Sequence, residues 1–304
     1  MIKSRLRFFL GYVISLYLIL TGKVSSIIKK ALNGEIILSI YFHNPRKKTV
    51  RCLIDWLQNN GFHFISAEEL IDILKTGKNF PKGAVFLSID DGWRKNISNV
   101  FEIVGKSNIP ITLFPIIEPI INSNGFWWSY VDKGINIGLK IPEKENLKLI
   151  SNAERIKIVE KVKSSFLIKD EAIGIEDLKI IAREKSITIG SHTYSHPILI
   201  CCNEKELEFE IGESKTILEE LIKSKVKYFA YPNGKHRKRE MDCVKKIGYE
   251  AAFGTDPDYI MTTDPINLFN IPRFEIRDDA SLRENICRLT GVWYRSNLSK
   301  RDNA

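Results

Sequence analysis

The chain has 304 residues, 44% of them hydrophobic, which is enough for a sizeable core in one large α/β domain or two smaller ones. Its net charge of +9 is not laid out for nucleic acid: residues 1–50 hold nine basic residues against the single Glu35, leaving about +1 elsewhere and no basic stripe with interleaved aromatics. Five cysteines, two of them adjacent and none in a C-x-x-C pair, exclude a disulfide framework and a thiolate zinc site and favour free thiols in a reducing compartment.

Residues 8–20 are almost wholly apolar, with Arg5 and Arg7 before them and Lys23 after. The stretch is short for a membrane span of about 20 residues. It reads as a membrane-associating segment, whether anchor, signal-like core or interfacial helix running on through residue 28. The alternative is an apolar helix packed on the domain. Residues 1–33 are therefore set apart from a catalytic unit at 34–290 and a basic C-terminal tail at 291–304.

An apolar strand is expected at 35–42, ending at His43-Asn44-Pro45, then a helix through 50–57 that stops near Asn60-Gly61. Ser66-Ala67-Glu68-Glu69 has the form of a capping box and opens a helix to about residue 74. A strand at 84–89, a helix at 98–107 and a strand at 111–114 follow, the last ended by Pro115. Two amphipathic helices, 152–167 and 175–185, precede a strand at 187–189. A long helix at 204–223, a strand at 228–231, a helix at 238–247 and strands at 251–254 and 268–273 complete the pattern. Short strands, apolar throughout and alternating with helices, indicate a parallel sheet covered on both faces. About seven such units without a break in composition fit a single barrel, whose chemistry sits in loops after the strand C-termini.

His43, Asp90, Asp91, His192, His196 and Asn233 all fall in such loops. Asp90 and Asp91 repel one another unless one is neutralised or binds a cation, and Gly92 allows a tight turn beside them. His192 and His196 lie four apart, before Pro197. One carboxylate with two imidazoles makes a three-ligand metal site with room for water, and the spare carboxylate can act as a base. That pattern reads as a metal-dependent hydrolase. The aromatic run around Trp127 and Trp128 either stacks on sugar rings or forms a small core under its loop.

Three motifs carry a family resemblance: Ser88-Ile89-Asp90-Asp91-Gly92, His192-Thr193-Tyr194-Ser195-His196 and Phe229-Ala230-Tyr231-Pro232-Asn233-Gly234. They resemble, in order, the T-F-D-D-G, H-[ST]-x-x-H and F-x-Y-P-x-G motifs of the polysaccharide deacetylases, the chitooligosaccharide-deacetylase-like carbohydrate esterases. The resemblance spans about residues 36–289. It implies a deformed (β/α)7-type barrel and a divalent metal, commonly zinc, held by Asp91, His192 and His196. Asp90 would be the general base, and Tyr231, Pro232 and Asn233 would lie on the substrate side. The implied reaction removes N-acetyl, less often O-acetyl, groups from a cell-envelope polysaccharide or its lipid-linked precursor. Ala230 stands where many members have the arginine that orients the base, and Arg273 is the expected replacement. No histidine follows His236 to supply the family's late acid, while His43 matches a Y-H motif found after the first strand in one branch. These departures keep open a carbohydrate-binding pseudoenzyme, or a deformylase acting on a lipid-linked amino sugar.

Overall fold

The computed structural model describes residues 2–77, 80–262 and 266–296. Two helices, α1 (Ile2–Leu20) and α2 (Lys23–Leu32), lead into β1 (Ile36–Phe42). The chain continues through α3 (Lys47–Asn59), β2 (His63–Ile65), α4 (Ala67–Thr76) and β3 (Ala84–Asp91). Ser66 caps α4 with Glu69 in the expected reciprocal box. A π-helical turn at Ile97–Phe101 runs into α5 (Glu102–Lys106) and then β4 (Ile111–Pro115).

The long β4–β5 connection holds α6 (Ile117–Ile121), α7 (Trp127–Asn136), α8 (Lys144–Leu147), α9 (Asn152–Lys163) and α10 (Ile175–Ile181). After β5 (Ile187–Ile189) come α11 (Glu204–Ile222), β6 (Tyr228–Ala230), α12 (Lys238–Ile247), β7 (Ala251–Phe253) and β8 (Ile260–Met261). The last elements are β9 (Phe274–Glu275), α13 (Leu282–Leu289) and α14 (Val292–Arg295).

Parallel pairing runs β9–β1–β3–β4–β5 in one sheet and β6–β7 in another. Two parallel bridges, Ser191 to Phe229 and Phe253 to Ile271, join the sheets into a ring of seven strands. β2 extends the β4 edge of β3, and β8 pairs antiparallel with β1. The last strand is corrected by this geometry. Residues 268–273 reach β7 through one parallel bridge, Phe253 to Ile271, and the missing N–H of Pro272 falls on the side that faces β1. The paired strand begins one residue later and joins β1 through Phe274 and Glu275.

Side-chain alternation on β3 divides the core. Val85, Leu87 and Ile89 pack outward under the helices, whereas Ala84 and Phe86 join Phe114 and Phe253 on the other side. Ser88 and Asp90 continue that second row, which delivers Asp90 to the C-terminal mouth. Residue 290 is not the end of the folded unit: Trp293 in α14 is buried with Ile286 and Cys287. The rest of the expected tail, 297–304, lies outside the described residues. All five cysteines are free thiols.

Candidate active site

A cavity of about 420 Å³ opens at the C-terminal ends of the strands, and Asp90, Asp91, His192, His196, His43 and Asn233 share its wall. Alternation alone would turn Asp91 away from Asp90. Its backbone instead adopts φ 70, and the following Gly92 φ 85, so both carboxylates face one space. His196 (φ 57), Thr193 (φ 71) and Asn233 (φ 53) are left-handed as well. Side chains pay for that conformation, and such residues persist only where the surroundings fix them.

The surroundings here are specific. The Trp93 indole N–H donates to Asp91 Oδ2 at 2.9 Å, leaving Oδ1 towards the histidines. His192 Nε2 lies 3.7 Å from Asp91 Oδ1, and His196 Nε2 lies 3.9 Å from it. His192 Nδ1–H donates to the Ala230 carbonyl at 2.8 Å, which fixes the tautomer whose Nε2 lone pair points inward. His196 N–H donates to Thr193 Oγ1, and the Trp127 indole donates to the His196 carbonyl. Burial pushes both imidazoles below their ordinary values, so they are neutral donors at neutral pH.

One ligand atom from each of Asp91, His192 and His196 falls within 4.8 Å of the others, and all three residues are buried. A carboxylate and two neutral imidazoles on a sphere of about 2.1 Å radius would stand about 3.4 Å apart in tetrahedral geometry. The observed separations fit a divalent ion after small side-chain adjustment.

Asp90 is held differently. Arg273 grips it with two parallel bonds, Nη1 to Oδ1 at 2.8 Å and Nη2 to Oδ2 at 2.9 Å. The same guanidinium donates to Ser88 Oγ and the Gly254 carbonyl and lies over the Tyr41 ring. Burial would raise the Asp90 carboxyl, but the Arg273 guanidinium, through its charge and its hydrogen bonds, outweighs it and holds it below the ordinary carboxylate range. Asp90 is therefore an ionised acceptor beside the three-ligand group.

The remaining candidates separate. Trp128 stands edge-on to His196, with ring centroids 4.9 Å apart, and lines the cavity. Trp127 is buried and packs with Val131, Leu147 and Val159, so it supports the loop beneath rather than the cavity wall. Tyr231 is also corrected: it is fully buried and its hydroxyl donates to the Phe269 carbonyl. Pro232 is buried beside it and, among the described residues, neither lines the cavity.

A family model for polysaccharide deacetylases matches residues 77–252, more than half of the chain. The chain belongs to the polysaccharide deacetylase family. The poly-beta-1,6-N-acetyl-D-glucosamine N-deacetylase of Escherichia coli K12 is 23% identical over 255 residues, 80% of this chain and 35% of that protein. The Staphylococcus aureus protein of the same name is 25% identical over 227 residues, 75% of this chain and 66% of its own length. The chain thus spans between about a third and two thirds of these curated relatives. In fold it is similar to Streptococcus pyogenes deacetylase PplD, with a TM-score of 0.60 at 15% identity, covering 84% of this chain and 97% of that one. IcaB from Ammonifex degensii gives 0.59 at 16% identity, with the same two coverages.

Three supporting residues went unread in the sequence. Trp93 holds Asp91, and its position two residues on from the carboxylate was the available signal. Glu275 lines the cavity 3.9 Å from His43 Nδ1, two residues beyond Arg273 and so on the same side of an extended chain. Glu210, buried on α11, accepts from both the N–H (2.8 Å) and the hydroxyl (2.6 Å) of Ser195, next to His196. Glu210→Ala would free the histidine loop and should weaken divalent-metal affinity by about tenfold, measured by competition with a chelating dye. Unchanged affinity would show that the loop holds itself.

Proposed function

We propose that this chain is a metal-dependent hydrolase that removes N-acetyl groups from a β-1,6-linked N-acetylglucosamine polymer of the cell envelope. The observation that carries this reading is the ionised, arginine-held Asp90 standing beside the Asp91–His192–His196 group. The names of the Escherichia coli and Staphylococcus aureus relatives support the substrate.

Zinc is the ion we assign, since imidazole and carboxylate donors in a three-residue set suit it. A bound divalent ion supplies a Lewis acid for the amide carbonyl and lowers the pKa of water towards neutrality. Asp90 accepts the proton of the attacking water, and Arg273 keeps its carboxylate charged and aimed. The Asn233 N–H is the loop amide assigned to the developing oxyanion, because the Gly234 and Lys235 amides donate to the Tyr231 and Pro232 carbonyls. His43, oriented by Glu275, delivers a proton to the departing sugar amine. The partly buried Trp128, stacked on Phe126 across one face, offers its other side to a sugar ring.

Purified protein with zinc should release acetate from β-1,6-linked N-acetylglucosamine oligomers, and EDTA should abolish release until zinc is restored. Metal bound at one equivalent with no acetate from this substrate would overturn the proposal.

A further inference from the structure

One side of α1 is committed to the fold. Arg7 donates to Glu284 Oε1 at 2.8 Å and to the Asp279 carbonyl, and Gly11, Ser15 and Leu18 are buried along the same stripe. Gly11 is needed there, since a Cβ would lie 2.2 Å from Glu284 Oε2. Leu18 packs with Cys287 and Trp293, so the helix is seated on α13 and α14.

The opposite side is apolar and uncovered. Phe9, Val13, Leu16, Tyr17 and Leu20 recur at helical spacing with exposures from 40% to 77%, and residues 8–20 contain no charged side chain. A helix face turned to water carries charges at some of these positions, and contiguous exposed apolar patches on this scale mark interaction surfaces. Cations border it. Arg283 donates to the Tyr12 hydroxyl and lies over its ring, and Lys23 follows at the exposed turn into α2. A tyrosine under an arginine at the edge of an apolar strip, as Tyr12 is under Arg283, suits the headgroup level of a bilayer.

We infer that α1 is an in-plane membrane-docking helix, its uncovered face sunk into the acyl boundary of an anionic bilayer while its other face stays on α13. No single helix among the described residues is long and apolar enough to cross a bilayer, and α1 with α2 would do so only across a 66° bend. A crossing would also pull Arg7 from the buried Glu284. The docking brings the catalytic unit to the surface, because the strand that ends at Glu275 leads directly into the helix on which α1 rests. It is independent of the hydrolase assignment.

The test is co-sedimentation of the full chain with phosphatidylcholine vesicles, with and without phosphatidylglycerol. Binding should rise by about 25-fold with the anionic lipid, since each of the two bordering basic residues adds roughly fivefold near such a surface. An alkaline carbonate wash should release the protein. Phe9→Glu/Tyr17→Glu, both on the exposed face, should lower vesicle binding by about tenfold or more while leaving the thermal transition in place. Equal binding by this variant, or wild-type protein that resists carbonate, would overturn the inference. So would a lipid-free dimer that the double variant dissociates, because the face would then belong to a second copy.

Discussion

Asp90→Asn should reduce turnover by about a thousand- to ten-thousand-fold while leaving metal content at one equivalent. The substitution keeps the shape of the side chain but removes its charge and its capacity to take a proton, and it turns one of the two oxygens that accept from Arg273 into an NH2 donor. Asp91, His192 and His196 are untouched, since Asp90 makes its bonds to Arg273 and not to the three-ligand group. The comparison with Asp91→Asn separates the two roles: that variant should lose metal and turnover together. Acetate release and metal analysis on the same preparations decide the matter. An Asp90→Asn enzyme with a tenth of the parent activity would remove Asp90 from the role of base.

Much of this site was legible because strand-end position and residue type coincide. Asp90 and Asp91 follow an unbroken apolar strand, and His192 and His196 follow another, so a parallel barrel must bring them to one mouth. What alternation could not show is that Asp91 turns back towards Asp90, which depends on a left-handed backbone at a residue other than glycine. The aromatic run at 126–130 was ambiguous for a related reason. Successive residues on a helix differ by about 100°, so α7 buries Trp127, Tyr130 and Val131 and leaves Trp128 at the cavity. Adjacent tryptophans in sequence therefore meet different surroundings. Tyr231 misled because a motif position names a residue without saying which way its ring points. Of the alternatives that composition allowed for the N-terminal segment, packing on the domain holds along one stripe of α1, while the other stripe is apolar to solvent.

Arg273 replaces, from another strand, the arginine that the third motif lacks at Ala230, and its removal should be the most destabilising single change at the site. Arg273→Met should cost about 3–5 kcal/mol of unfolding free energy, read from denaturant melts. The reason is the partner left behind. Asp90 is 1% exposed, and burial raises its carboxyl once the guanidinium no longer compensates. Ser88 Oγ and the Gly254 carbonyl lose a donor at the same time. If the penalty belongs to the stranded charge, Arg273→Met with Asp90→Leu should recover most of the loss, because the pair and its desolvation disappear together. Arg273→Lys keeps the charge but not the two-pronged grip, so it should fold nearly as well as the parent and yet turn over poorly. A single Arg273→Met variant that melted with the parent would mean that Asp90 is neutral in the fold, and the proton acceptor would then have to be sought elsewhere in the cavity.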